Sequence, residues 1–377
     1  MKILKILYGV QGTGNGHITR ARLMAAAFAQ RNDVQVDYFF SGRNTNAYFD
    51  MAVFGDYQTK RGLSFVTENG SLHRLKTVKS IRLVEFMQDV RKLDLSNYDL
   101  VLNDFEPISA WAAKNQNVPS LSISHQAAFM YTVPTQAQSI VDKWVTRYFA
   151  PTRYALGVHW YHYNQAIIPP FVSPLGSPSI PQHSHIRDID RHRISEKPDF
   201  TLVYLPFEDT SQIQQVLQAL SENRFYCFHP DVQFAFIEKN IHWFPPSQVG
   251  FHEALLSCKQ VIANAGFELA TECLNLGKAL LMKPLRGQFE QFSNAFMLRQ
   301  LGISDTLFSL NTDDIDEWLN NHHATKITFP NNVNSFIDWI ITGDLSDTAT
   351  ICRQLWQQVE FPDKVSEKLR TARDINI

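Results

Sequence analysis

The chain has 377 residues, enough for two domains of ordinary size, and 44% hydrophobic against 19% charged residues is a globular balance, not a disordered one. Lys and Arg number 35 against 37 Asp and Glu, so no basic field exists to recruit nucleic acid, and no apolar run reaches the roughly 18 residues of a membrane span. The four cysteines (Cys227, Cys258, Cys273, Cys352) lie far apart with no C-x-x-C pair, which argues against a disulfide framework or zinc site and for reduced thiols in a cytoplasmic protein.

Lys5 to Val10 is an apolar run of strand length, and no A-x-A cleavage pattern follows that would make it a signal peptide. Gln11-Gly12-Thr13-Gly14-Asn15-Gly16-His17 is a glycine-rich turn, and Ile18 to Gln30 has helical spacing. Such a turn lets a ligand touch the backbone. It is not the dinucleotide fingerprint G-x-G-x-x-G: counting from Gly12, the sixth position is His17, and no acidic residue closes the strand Val34 to Phe40. Basic residues such as Arg61, Arg74, Lys76 and Arg91 stand among apolar ones from Lys60 to Lys92; a solvated helix face accounts for them, and the pattern also permits an interfacial membrane contact.

Tyr98 to Asn103 is the next strand, with Asp104 at its carboxyl end, where open α/β sheets place their ligands. Asp104 is a candidate to orient His17, to act as a base, or to cap the helix from Pro107 to Asn115. Pro119 to Ser124 is a strand leading to His125-Gln126, and Tyr154 to Trp160 closes the first half. Prolines and serines then dominate up to Pro198, as in a linker. Asp188-Ile189-Asp190 sits in that linker, and the pairs His159/His162 and His183/His185 lack a supporting carboxylate or cysteine set, so no metal is expected.

The second half alternates strands (Asp199–Pro206, Arg224–Phe228, Ile241–Phe244) with helices (Thr210–Glu222, Gly250–Cys258). Its most informative stretch is Gln260 to Gly302, a strand, the turn Asn264-Ala265-Gly266, a helix from Phe267 to Leu276 with Gly277 as left-handed cap, a strand from Ala279 to Met282, a loop to Gln288 and a last helix to Leu301. The turn lets an anion approach the start of a helix. Glu272 is placed to accept the two hydroxyls of a ribose, and Gln288, Glu290, Gln291 and Asn294 suit a polyhydroxylated ligand. Capped helices and a solvated loop would give the same pattern.

This stretch resembles the donor-binding segment of GT-B glycosyltransferases, both the UDP-glycosyltransferases and the peptidoglycan-type lipid-linked N-acetylglucosamine transferase. The resemblance implies that Asn264, Ala265 and Gly266 hold a diphosphate, Glu272 the ribose and Glu290-Gln291 the sugar, with Phe244 beside the base; Phe267 and Gln288 are further donor-side candidates, and the helix start at Gly14, Asn15 and Gly16 would help stabilise the leaving diphosphate. Many relatives carry His or Ser where this chain has Ala265. The string Gly14-Asn15-Gly16-His17 is similar to the N-terminal turn of the same enzymes, where the UDP-glycosyltransferase branch uses the histidine as general base on the acceptor hydroxyl and the peptidoglycan-type branch has it only cap the helix or touch phosphate. His125 and Gln126 fall where the peptidoglycan-type branch has His-Glu-Gln-Asn, so they are acceptor-side candidates, with Gln126 in place of the glutamate. Pro206-Phe207-Glu208-Asp209 departs from the pattern: it is acidic and lacks the glycines that relatives place there.

The resemblance implies an α/β fold of two Rossmann-like domains facing a cleft, with a C-terminal helix crossing back to the first. The expected divisions are an acceptor domain over 1–168, a linker over 169–198, a nucleotide-sugar domain over 199–345 and a helical tail over 346–377. The implied reaction is metal-independent transfer from a nucleotide sugar, UDP-linked, to a hydroxyl acceptor that is lipid-linked or a glycan, with no further cofactor. The protein would be cytoplasmic or peripheral at the inner membrane face. Two rivals are an epimerase or hydrolase of the same fold, drawing acidic groups from Glu106, Glu208 or Asp209, and a non-catalytic sugar-nucleotide binder.

Overall fold

The computed structural model describes residues 3–63, 67–68, 71–72, 82–172, 199–331 and 333–374, so Asp188-Ile189-Asp190, His183, His185 and, in the basic stretch after Lys60, His73, Arg74, Lys76 and Lys79 lie outside the described residues. The chain divides into two compact units: one comprises the described residues within 1–66, 73–173 and 329–360, the other those within 67–72, 174–328 and 361–377.

In the first unit the chain runs through β1 (Leu4–Gln11), α1 (Asn15–Phe28), β2 (Val34–Ser41) and β3 (Tyr57–Lys60). A small antiparallel hairpin, β4 (Thr67–Glu68) and β5 (Ser71–Leu72), interrupts the order. It resumes with α2 (Leu83–Lys92), β6 (Leu100–Asp104), α3 (Pro107–Gln116), β7 (Ser120–Ser124), α4 (His125–Ala128), α5 (Ile140–Tyr148), β8 (Tyr154–Val158) and β9 (Ile167–Ile168). The sheet order is β3-β2-β1-β6-β7-β8-β9, parallel throughout. β1 pairs with β2 on one side and β6 on the other, so the order reverses there, and ligands of open α/β sheets bind at the carboxyl ends of such strands. Those ends are Gln11 and Asp104. Apolar side chains cover the sheet: Leu7, Phe39 and Val101 pack against Phe86 and Val90 of α2 and Ile108 and Ala112 of α3.

The second unit runs through β10 (Thr201–Tyr204), α6 (Thr210–Gln218), β11 (Phe225–Phe228), β12 (Phe236–Glu238), β13 (Ile241–Phe244), α7 (Gln248–Ser257), β14 (Gln260–Asn264), α8 (Phe267–Leu276), β15 (Ala279–Lys283), α9 (Phe289–Leu301), β16 (Asp305–Thr306) and α10 (Thr312–Asn321). The order is β12-β13-β11-β10-β14-β15-β16, parallel except for the antiparallel edge strand β12. Reversal falls between β10 and β14. Gly277 and Gly302 end α8 and α9 in the left-handed region, at φ 66° and 68°, as the sequence predicts.

Three helices close the chain: α11 (Asn334–Thr342), α12 (Thr348–Trp356) and α13 (Asp363–Asp374). The segment 329–360 returns to the first unit. Val172 donates its N–H to the Pro330 carbonyl, the Phe171 and Phe336 rings pack at 5.7 Å, and Trp356 Nε1 donates to the Ile167 carbonyl at 2.7 Å. The return therefore begins with α11, ahead of Ser346, because its Phe336, Ile337 and Ile340 supply an apolar face to bury. Two other differences from the sequence reading have local causes. The helix expected at Ile18 starts at Asn15, with Gly14 as extended N-cap, so Gly16 and His17 belong to its first turn. The strand β12 is three residues of edge structure, too short to leave a periodic signal.

Candidate functional site

Each unit carries polar groups at the carboxyl end where its strand order reverses. In the first unit, Gly14 caps α1 without any side-chain hydrogen bond, and a Cβ on it would meet no atom within 4 Å. Its φ of −113° is open to any residue. The glycine thus leaves the start of α1 bare, with main-chain N–H groups and the positive end of the dipole facing open space. Asn15 opens the helix and accepts from Arg43 Nη2 at 3.1 Å, while Arg43 Nε also donates to the Gly12 carbonyl.

His17 lies in that first turn. Its Nδ1 donates to Asp104 Oδ1 at 2.7 Å, the polarity an ionised carboxylate requires. This leaves the lone pair on Nε2, which has Gln126 Nε2 at 3.5 Å. The side chain of His17 is 14% exposed, whereas Asp104 has no exposure at all. Arg20 supplies the charge that makes this burial tolerable: its Nη1 meets both Asp104 oxygens, at 2.9 and 2.8 Å, and donates to the Ile123 carbonyl at 3.1 Å. His17 and Arg20 are three residues apart on α1 and so share a face. Asp104 does not cap the following helix. Glu106 does, accepting from the N–H groups of Ile108 and Ser109 at 2.8 and 2.6 Å and from Ser41 Oγ at 2.6 Å. Burial raises the Glu106 carboxyl, with these hydrogen bonds opposing.

His125 packs into the core. It is 1% exposed, Nδ1 is 2.9 Å from the Val158 carbonyl, and the ring lies 5.2 Å from that of His159. Burial, reinforced by His125, pushes His159 well below its usual range, so His159 serves the core as a neutral ring. Among the described residues no group of three His, Cys, Asp or Glu is placed to hold a metal ion.

In the second unit, Gly266 caps α8 as Gly14 caps α1, with no side-chain bond and no atom within 4 Å of an added Cβ. The turn before it is shaped from inside. Asn264 is 7% exposed and donates to the Lys283 carbonyl at 3.0 Å and to Glu208 Oε1 at 3.3 Å, and Asn294 donates to the Ala265 carbonyl at 3.0 Å. Asn264 and Ala265 thus build the turn, and Phe267, whose ring is buried, offers only its N–H. One turn further on, Glu272 keeps some exposed surface while its carboxyl is enclosed. Burial, with the Glu268 charge adding, raises it to about 8.

Two expected contacts turn inward, and the carboxylates of the rival reading have other partners. Gln291 is 5% exposed and its Oε1 accepts the Leu285 N–H at 2.8 Å, so its amide oxygen fixes the loop before α9. Phe244 stacks on Phe228 at 4.9 Å inside the core, which takes its ring out of reach of a base. The carboxylates that an epimerase would call on are each taken up: Glu106 and Asp209 cap α3 and α6, and Glu208 is 2.6 Å from Lys283 Nζ. Gln288 and Glu290 remain partly exposed at the start of α9.

Two parallel sheets, each with a bare helix start at its reversal point, define the α/β glycosyltransferase class called GT-B. In fold the chain is similar to the glycosyltransferase SsfS6 of Streptomyces sp. SF2575 (TM-score 0.53, 12% identity, covering 98% of this chain and 99% of that one). It is likewise similar to SnogD from Streptomyces nogalater (0.51, 12%, 98% and 99%) and to the spinosyn rhamnosyltransferase SpnG (0.56, 14%, 98% and 100%). The chain belongs to glycosyl transferase family 1, whose model matches residues 4–322, and it is a glycosyltransferase. Comparison with the curated proteins gives no match.

Proposed function

We propose that the protein transfers a hexosyl or N-acetylhexosaminyl group from a UDP-linked donor to a hydroxyl acceptor, with His17 as general base and no metal. The observation that carries this reading is the His17–Asp104 pair, 2.7 Å apart and anchored by Arg20. His17 Nε2 takes the acceptor proton as the acceptor oxygen bonds to the anomeric carbon. The bond from that carbon to the diphosphate oxygen breaks, and the diphosphate leaves with the electron pair. Asp104 holds the ring in the required tautomer and stabilises the imidazolium, as an orienting carboxylate does. The N–H groups at the start of α8 meet the diphosphate, a task that fixed backbone donors do well. Glu272 accepts the ribose hydroxyls.

A thermal-shift titration tests the donor half. UDP is expected to raise the melting midpoint equally with magnesium and with EDTA, by mass action on the folded state. A carboxyl raised to about 8 is mostly protonated at neutral pH, and it must ionise to accept two hydroxyls. UDP affinity is therefore expected to rise about ten-fold between pH about 7 and about 9, and Glu272→Gln to remove that dependence. Without ligand the sign is opposite: the folded state holds a proton the unfolded chain loses above about 4.5, so this group lowers stability as pH rises from there through about 8. No midpoint shift with any nucleotide would sink the donor reading.

The acceptor is read from α5. Ile140 and Trp144 are 76% and 62% exposed, Val141 and Tyr148 share their stripe, and Lys143 and Arg147 are exposed beside it. The one acidic residue of the helix, Asp142, is tied up in a capping box with Ser139. An apolar stripe with cationic flanks suits an acceptor carried on an anionic lipid surface. The protein is expected to sediment with phosphatidylglycerol-containing vesicles and not with phosphatidylcholine alone, and Trp144→Glu to abolish this. No sedimentation with either would point to a soluble glycan acceptor.

A further inference from the structure

The acidic loop Pro206-Phe207-Glu208-Asp209 sits at the carboxyl end of β10, beside the turn that starts α8, where a negative charge would oppose an anion. The structure compensates it from within. Glu208 is 5% exposed and Lys283 7%, and Nζ lies 2.6 Å from Oε1. The same Oε1 accepts from Asn264 Nδ2 at 3.3 Å. The carbonyl of Lys283 accepts both Asn264 Nδ2, at 3.0 Å, and the Ala265 N–H, at 3.2 Å. Lys283 therefore holds the turn with its main chain and neutralises its acidic neighbour with its side chain. The His229 ring, 3.0 Å from the Glu208 carbonyl through Nε2, fixes the loop from the other side.

We propose that Glu208 and Lys283 are a positioning pair that shapes the Asn264–Gly266 turn and sets its charge for a nucleoside diphosphate. The inference rests on the donor reading above. It takes the place of the glycine-rich loop that the acidic segment lacks: the turn is kept close to neutral by a buried ion pair, and the N–H groups of α8 then decide the affinity. A scaffold role alone predicts that breaking the pair from either side weakens binding. A charge-setting role predicts opposite signs.

Calorimetric titration of UDP into the full chain separates the two. E208Q leaves the lysine cation uncompensated near the anion and is expected to bind UDP about ten-fold more tightly, while K283M leaves the carboxylate and is expected to bind about ten-fold more weakly, the size of one unit charge at several ångströms in a partly shielded medium. E208Q/K283M restores neutrality and is expected within about three-fold of the unaltered protein, as is K283R. Should K283M fail to fold, the proposal still requires E208Q to bind more tightly than the double variant. Weaker binding in both single variants overturns the charge-setting role while leaving the donor reading intact. Failure of the unaltered protein to bind UDP, GDP or dTDP overturns the donor reading and this inference with it.

Discussion

His17→Ala is expected to lower turnover by about 10²- to 10⁴-fold while leaving UDP binding within about two-fold, the range that a positioned general base supplies. The expectation follows from where the ring is held. Nδ1 is committed to Asp104, so the only basic nitrogen left is Nε2, and the partial exposure of the side chain gives an acceptor one approach to it. Asp104→Asn should approach the same loss, because an amide can present its NH2 to Nδ1 and turn the proton onto the wrong nitrogen. Steady-state rates with UDP-sugar donors, paired with UDP titrations of the same variants, make the check. If turnover stays within ten-fold and UDP binding falls instead, His17 is a phosphate contact and the base lies elsewhere.

Arg20→Met should cost about 3–5 kcal/mol of folding stability, because it strands a carboxylate that has no exposure. The double change Arg20→Met with Asp104→Asn removes the stranded charge and should recover most of that loss. Urea melts of the two variants and the parent measure both steps. A loss below about 1 kcal/mol in the single variant would mean that the Asp104 charge is carried by His17 alone.

The sequence made the strand and helix rhythm of both units readable wherever a turn residue punctuates an apolar run. The stretch from Gln260 to Gly302 folds as read, since Gly266, Gly277 and Gly302 mark its boundaries and the runs Val261–Ala263 and Ala279–Met282 within its strands are apolar. The proximity of His17 and Asp104 was also foreseeable, because the turn after β1 and the end of β6 belong to strands that a doubly wound sheet places side by side. Arg20 was not singled out, although its three-residue spacing from His17 was visible, because the partner that gives it meaning is 84 residues away. The cap of α3 passed from Asp104 to Glu106 because Phe105 takes a positive φ of 56°, a bend that sequence does not announce. His125, Phe244 and Gln291 share one cause of error: polar or aromatic groups beside a turn look like ligand contacts until burial shows which way they face.

The return of residues 329–360 to the first unit bears on how the protein is made. The short edge strand β9 receives Trp356 through its Ile167 carbonyl, and Phe171 receives Phe336. These partners emerge from the ribosome only after the sheet of the second unit, complete by β16, has been translated. The second sheet can therefore close while the first is still missing part of its cover, and nascent chains would hold an unfinished edge during that interval. A fragment ending at Val172 would keep that edge permanently, so the two units are one synthetic module, inseparable by simple truncation.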